Sequence, residues 1–330
     1  MTGQKRRVTA ADVAKLADVS RSAVSRAFTE GAYLDADKRT RILKASDELG
    51  YRPNALAASL QGAGSNLVAI FVGEMPNHYD KEVATALING LNAAGKWPIV
   101  VGGSGDAAKA AIQNVLRYPL EAMILRSGSL GADVVSSCLK LGIPVISSGR
   151  IVDGPNVDNI CVRNREAMAV ITEHLIKQGR RKFAYLSGPD AFWSTGERYG
   201  GFEETLKAHH LEPVSRLYGD YSVMGGFNAM QACSDLADID ALVCANDAMA
   251  LGALMFLKEK GTSVPEEIAV TGFDDISMAE WPNMALTTLR NPIVPLVKGT
   301  IDLLMAREAD PNRAGETKWL DAELVLRATH

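Results

Sequence analysis

From residue 67 onward, apolar runs of strand length alternate with stretches of helical period, and few folds accept that order. LVAIFV is followed by VATALINGLNAAG, then IVVGG, AAIQNVLRY, AMIL, VVSSCLKLG and PVISSG. After Asn164 the texture returns: REAMAVITEHLIKQG, KFAYLSG, ERYGGFEETLKAHH, ALVCAND, AMALGALMFLKEKG and IAVTGFDD. Strands joined by helical crossovers pair in parallel. Two such series predict an α/β core of two doubly wound parallel-sheet subdomains with a cleft between them. Ligands of open parallel sheets bind beyond the carboxyl ends of the strands. Those ends are Gly73-Glu74, Arg126-Ser127, Ser148-Gly149, Gly188-Pro189, Asn246-Asp247 and Phe273-Asp274-Asp275.

The first 62 residues are of another kind. In Thr9 to Phe28, TAADVAKLADVSRSAVSRAF, the residues Val13, Leu16 and Ala17 recur at helical spacing. Thr9 is a candidate N-cap, and Asp12 sits where the first turn favours negative charge. Asp18 interrupts the pattern; a short polar residue tolerates the left-handed conformation that a sharp turn between helices needs. Ser20 can cap a second helix that turns Ala23, Val24 and Ala27 inward and leaves Arg21, Ser22, Ser25 and Arg26 outside. Two short helices joined tightly, the second with an arginine-rich outer face, predict an all-α helix-turn-helix headpiece. A third helix is expected over residues 36–49, ended by Gly50. Pro53 makes Tyr51-Arg52 extended. Asn54 can cap a brief helix over 55–60, and Gln61 to Ser65 reads as a flexible linker.

Charge divides the same way. Residues 1–62 hold 11 Lys and Arg against 7 Asp and Glu, a net +4, so the rest of the chain carries -8 of the total -4. A basic N-terminal module on an acidic body is the asymmetry of a DNA-binding unit joined to something else. MTGQKRR leads into no apolar stretch of an export signal, and runs such as Leu67 to Val72 are too short to span a bilayer. Cys138, Cys161, Cys233 and Cys244 are widely spaced and read as reduced thiols of a cytoplasmic protein. The histidines show no metal spacing.

VTAADVAKLADVSRSAVSRAF, ELGYRPNALAASL, ERYGGF, ANDAMALGAL, VPEEIAVTGFDD and LTTLRNP together resemble the lactose/galactose repressor family of transcription regulators over nearly the whole chain. The resemblance implies a headpiece over 1–50 and a hinge helix and linker over 51–65. It implies a periplasmic-binding-protein-like effector core over 66–330, split into an N-subdomain (about 66–162 and 292–319) and a C-subdomain (about 163–291 and 320–330). It further implies a cytoplasmic, nucleoid-associated homodimer on a palindromic double-stranded operator. A small polar effector in the cleft would control it, with no catalysis, cofactor, metal or membrane. The chain ends without an added heptad segment, which by the same resemblance implies a dimer rather than a tetramer.

Arg21, Ser22 and Arg26 are expected in the major groove, where arginine reaches guanine bidentately. Thr9, Ser20, Ser25 and Tyr33 suit phosphates, which position without specifying. By resemblance Asn54, Ala57 and Leu60 belong to the hinge, Leu60 wedging into the minor groove. Arg198, Tyr221, Asn246 and Asp274 are expected around the effector, with Asp247 and Asp275 structural. Two departures point to an anionic effector: Gly149 and Arg163 stand where sugar-binding members often carry acids. With Arg126 and a donor from His78, these residues suggest a sugar acid or other small carboxylate. Two rival readings fit less well. A binding protein of periplasmic type calls for an export signal and no headpiece. A Rossmann-type oxidoreductase needs GxGxxG after its first strand, where this chain has Gly-Glu-Met-Pro.

Overall fold

The computed structural model describes residues 6–29, 31–54, 64–75, 77–126, 132–233 and 236–330. The chain divides into two compact units, 1–65 and 66–330.

In the first unit, α1 (Ala10–Leu16), α2 (Arg21–Ala27) and α3 (Ala36–Leu49) close around Val13, Ala14, Ala17, Ala23, Val24, Ala27, Ile42 and Ala45. Alanine dominates because helices this short gain their burial by approaching closely. The Asp12 carboxylate accepts from both the backbone N–H and the hydroxyl of Thr9, at 2.9 and 2.7 Å. Asp18 has φ 52°, and the Ser20 hydroxyl accepts from the Ala23 N–H at 3.2 Å, so the tight turn and the second cap form as the sequence predicts. Asp35 caps α3 through the Lys38 N–H, and Gly50 ends it at φ 68°. Leu16 departs from the pattern. It is 48% exposed, because Val13, Ala14 and Ala17 already fill the inward stripe of a two-turn helix.

The second unit holds two six-stranded sheets. The first runs β11 (Thr317–Leu320), β5 (Val157–Val162), β4 (Val145–Ser148), β3 (Ala122–Leu125), β1 (Leu67–Gly73), β2 (Trp97–Gly102), parallel throughout. The second runs β12 (Glu323–Val325), β10 (Thr287–Arg290), β9 (Ala269–Asp274), β8 (Ala241–Cys244), β6 (Phe183–Ser187), β7 (Ser215–Tyr218), parallel except that β12 opposes β10. Strands β1, β3, β4, β5, β6, β8 and β9 are buried at every position; β1, β3 and β8 accordingly read as unbroken apolar runs, whereas β5 carries Asp158 and Asn159 inside and gave no such signal. The crossovers of the first sheet are α4 (His78–Ala93), α5 (Gly105–Val115) and α6 (Ala132–Lys140). Those of the second are α7 (Asn164–Lys177), α8 (Trp193–Ala208), α9 (Val223–Gln231) and α10 (Asp247–Lys260).

The chain passes from one sheet to the other after β5, after β10 and again between β11 and β12. On its return, α11 (Ile293–Ala309) packs on α4, β4 and β5 of the first sheet. Its Arg307 is fully enclosed and grips Asp158 of β5 bidentately, Nε to Oδ2 at 3.0 Å and Nη2 to Oδ1 at 3.1 Å. The strand periodicity thus accounts for two doubly wound sheets, with their carboxyl ends supplying the edge on which a ligand can be held. Among the described residues, no helix is long and apolar enough to cross a membrane.

Candidate functional sites

The outer face of α2 is built by elimination. Ala23, Val24 and Ala27 are committed to the core, so Arg21, Ser22, Ser25 and Arg26 remain in solvent, with Ser20 beside them. The Ser22 hydroxyl shares a 2.9 Å hydrogen bond with Ser20, and the Arg26 Nε donates to the Ser22 carbonyl at 3.4 Å. Tyr33, 89% exposed, stands in the loop between α2 and α3. Arg39 was not anticipated. Its guanidinium donates to the Ala27 carbonyl at the end of α2 and the Ala32 carbonyl of that loop, at 2.8 and 2.9 Å. It therefore fixes the end of the arginine-bearing helix. Asn54 is exposed, while Ala57, Leu60 and the helix expected over 55–60 lie outside the described residues.

In the second unit, a cavity of about 110 Å³ opens at the carboxyl ends of both sheets. Glu74, Arg126, Gly149 and Arg150 line it from loops that follow strands of the first sheet. Asn246, Asp274 and Asn291 come from the ends of β8, β9 and β10. The N-cap and first turn of α4 add Asn77, Tyr79 and Asp80, the first residue of α7 adds Asn164, and the first two turns of α8 add Trp193, Ser194 and Arg198. Phe192 and Tyr221 form an edge-to-face aromatic wall with ring centres 5.5 Å apart. Tyr221 crosses the end of β6 where Gly188 leaves it room, since a β-carbon there would lie 2.2 Å from the ring. Its hydroxyl is held by Thr195 at 2.6 Å.

Arg198 is the centre of this site. It is 7% exposed and lies over the Phe273 ring at 3.6 Å. Its Nε donates to Asn164 Oδ1 at 2.8 Å, Nη1 to the Ala245 carbonyl at 2.6 Å, and Nη2 reaches Asp274 Oδ1 at 3.5 Å. Asp274 also accepts from Asn291 Nδ2 at 3.1 Å. Its backbone is held at φ 113°, a conformation that persists only where surroundings over-determine it. Asn246 caps α10 through the Met249 N–H and donates to the Tyr221 carbonyl. Asp247 and Asp275 are structural as expected. Asp247 holds the Ile276 N–H and the Thr288 hydroxyl, and Asp275 pairs with Arg290 and Arg327.

Five of the seven residues expected around the effector line the cavity: Arg126, Arg198, Tyr221, Asn246 and Asp274. Arg163 does not. Pairing of β5 with β11 carries its side chain to Asp321 at 3.4 Å and over Trp319 at 5.3 Å. His78 is also outside the lining; its Nε2 lies 3.1 Å from Glu82 and 3.4 Å from the Ser277 hydroxyl. Glu74 stood among the strand ends named as the ligand edge, while Asn77, Asp80, Arg150, Asn164, Trp193 and Asn291 were not expected there. For Asn77 and Asn164 there was a signal, since each stands where an apolar strand gives way to a helix.

Burial pushes the Asp274 carboxyl up to about 6, with Arg198 and Asn291 opposing the rise. Burial raises Asp80 as well, against the nearby Arg126 and Arg198. The sign follows. The folded state holds the Asp274 proton more tightly than the unfolded state, so the cost of ionising it is absent below about 3.8 and complete above about 6. A ligand hydroxyl that donates to the carboxylate needs the ionised form. Calorimetric affinity for such an effector is therefore expected to be level from pH 7 to 8. Below pH 6 it should fall by a factor approaching tenfold per pH unit. Affinity unchanged between pH 7 and 5 would remove Asp274 as an acceptor.

Residues 9–54 match the family described as bacterial regulatory proteins, lacI family, and residues 172–330 match the periplasmic binding protein-like domain. The probable HTH-type transcriptional repressor ExuR of Bacillus subtilis is 29% identical over 327 residues, covering 97% of each chain. The lactose operon repressor of Escherichia coli is 28% identical over 98% of this chain and 90% of its own. Among solved structures, the lac repressor dimer bound to operator and the anti-inducer ONPF superposes with a TM-score of 0.88 at 26% identity. That match covers 98% of this chain and 99% of the other. The transcriptional regulator CelR in complex with cellobiose gives 0.75 at 26% identity, over 98% and 100%. A capped helix-turn-helix and two parallel sheets flanking a polar cavity meet these likenesses across nearly the whole length: the chain joins a lacI-family helix-turn-helix domain to a periplasmic binding protein-like domain and is similar throughout to the lac repressor.

Proposed function

We propose that the protein is a cytoplasmic, nucleoid-associated, dimeric transcriptional repressor. Its headpiece over 1–50, joined through 51–65, reads a palindromic operator. A small polyhydroxylated effector, a sugar or sugar acid, sets its operator affinity from the cavity in 66–330. The observation that carries this reading is the α2 face, where two arginines and three serines stand exposed on a helix whose opposite side is locked into a core. Arg21 and Arg26 read bases, while Ser20, Ser25, Thr9 and Tyr33 hold phosphates. At about 30 Å³ per liquid water, the 110 Å³ cavity replaces roughly four waters, which limits the ligand to one small molecule of the sugar-ring class. Guanidinium donors, carboxylate and amide acceptors and an aromatic wall are the groups that hold hydroxyls in place. Effector and operator affinities are coupled reciprocally, through a shift between states of the core.

The test is selection of bound duplexes from a random pool by the full chain, followed by titration. A palindromic site is expected, with affinity falling linearly in log units of salt through counterion release. Arg21→Ala should weaken it by about 1–3 kcal/mol and relax preference at one base pair in each half-site. Enrichment of no sequence would sink the repressor reading.

A further inference from the structure

Gly149 follows β4 with φ 116°, a backbone conformation that side chains rarely adopt. A β-carbon placed there would lie 3.0 Å from Nη1 of Arg126. The space that a side chain would take beside the cavity is thus filled by a guanidinium from the end of the neighbouring strand. Among the described residues the Arg126 side chain is anchored by a hydrogen bond from Nη1 to the Ser148 carbonyl at 2.8 Å. Among the described residues it forms no ion pair, unlike Arg198, which is matched with Asp274. Arg150, two residues beyond Ser148, lines the same wall.

We infer that Arg126, seated in the space left by Gly149, is the charge-selecting residue of the cavity, and that the effector is a polyhydroxylated carboxylate of monosaccharide size. This rests on the effector reading above. Arg198 and Asp274 serve the hydroxyl-bearing part of the ligand, with Asn246 and Asn164 beside them. Arg126 meets the carboxylate, for which a guanidinium offers paired donors in a plane. A sugar phosphate shares the oxyanion chemistry, but Glu74, Asp80 and Asp274 line the cavity too, and that acidity favours a monoanion over a dianion. The preference is built from Arg126 and Gly149 together, since Gly149 admits the cation and excludes a competing acidic side chain.

The test is calorimetry on the full chain with matched sets of probes: six-carbon sugars, their uronic and aldonic acids, and their 6-phosphates. In at least one set the acid is expected to bind about tenfold or more tighter than its neutral parent, the worth of a charge-assisted bond. Arg126→Gln should erase that difference, weakening the acid about tenfold or more until it binds no tighter than its neutral parent. Arg126→Lys should keep part of the difference and guards against a variant that fails to fold. A neutral sugar binding as tightly as its acid overturns the inference and leaves the effector reading standing. A phosphate binding tighter than the carboxylate, or an acid preference that survives Arg126→Gln, also overturns it. If no probe of any class binds while operator binding is intact, the effector reading falls, and this inference with it.

Discussion

Arg198→Ala is expected to abolish effector binding, with at least about a hundredfold loss of affinity, while leaving specific operator binding in place. The loss is large because three elements depend on one guanidinium. Arg198 fixes Asn164 at the start of α7, satisfies the carbonyl of Ala245 at the end of β8, and neutralises Asp274 at the end of β9. Removing it leaves a 5% exposed carboxylate facing Asp80 without its partner. Breaking a buried pair by deleting one member costs about 3–5 kcal/mol. The core should therefore also melt earlier, and the Asp274 carboxyl should rise further above about 6. Arg198→Lys restores charge near Asp274 but not the planar fork that reaches three partners at once. It should recover part of the melting temperature and little of the affinity. An unchanged effector dissociation constant in Arg198→Ala would place the ligand elsewhere.

Features set by local rules were legible in the sequence. Asp18 in a left-handed turn, Ser20 as a cap and Gly50 as a helix end follow from the chemistry of single residues and their neighbours. The central strands β1, β3, β6 and β8 were legible because both of their faces are covered, which writes burial into the sequence as apolar runs; β5, with Asp158 and Asn159 inside, and the edge strands β7, β11 and β12 left no such run. Asn246 and Asp274 were legible as cavity residues because motif resemblance and strand-end position agreed on them; Arg198, inside α8, was reached through the ERYGGF resemblance alone. What escaped depends on contacts distant in sequence. Arg39 reaches back 12 residues to a carbonyl, and carbonyls leave no trace in side-chain pattern. Arg163 and Arg150 both follow strands, yet only Arg150 lines the cavity, because Trp319 and Asp321 stand beside Arg163. That choice is made by β11, more than 150 residues later, which no window around Arg163 contains. Asn291 was missed for the same reason: its role comes from β10 lying next to β9.

Asp158→Ala tests the largest of these distant contacts. Arg307 and Asp158 are each 1% exposed at the side chain and lie 149 residues apart. The guanidinium also donates to the carbonyls of Pro311, Arg313 and Ala314, and Asp158 accepts from the Glu316 N–H at 3.0 Å. The pair therefore folds the end of α11 and the approach to β11 onto β5, just before the chain's last passage between the sheets. Alanine at 158 strands an arginine in the interior, and the expected cost is about 3–5 kcal/mol. At about 2–4 °C per kcal/mol for a unit of this size, the melting temperature should drop by roughly 10 °C. The pair's net worth is a separate quantity, because both charges lost their hydration on folding. Asp158→Leu combined with Arg307→Met should regain much of the loss, since apolar replacement of a whole buried pair is often neutral or stabilising. Urea unfolding of the two single variants and the double variant measures this directly. A cost below about 1 kcal/mol for Asp158→Ala would mean that Arg307 is satisfied by backbone carbonyls alone. Near-additive losses in the double variant would mean that the two side chains act independently despite their contact.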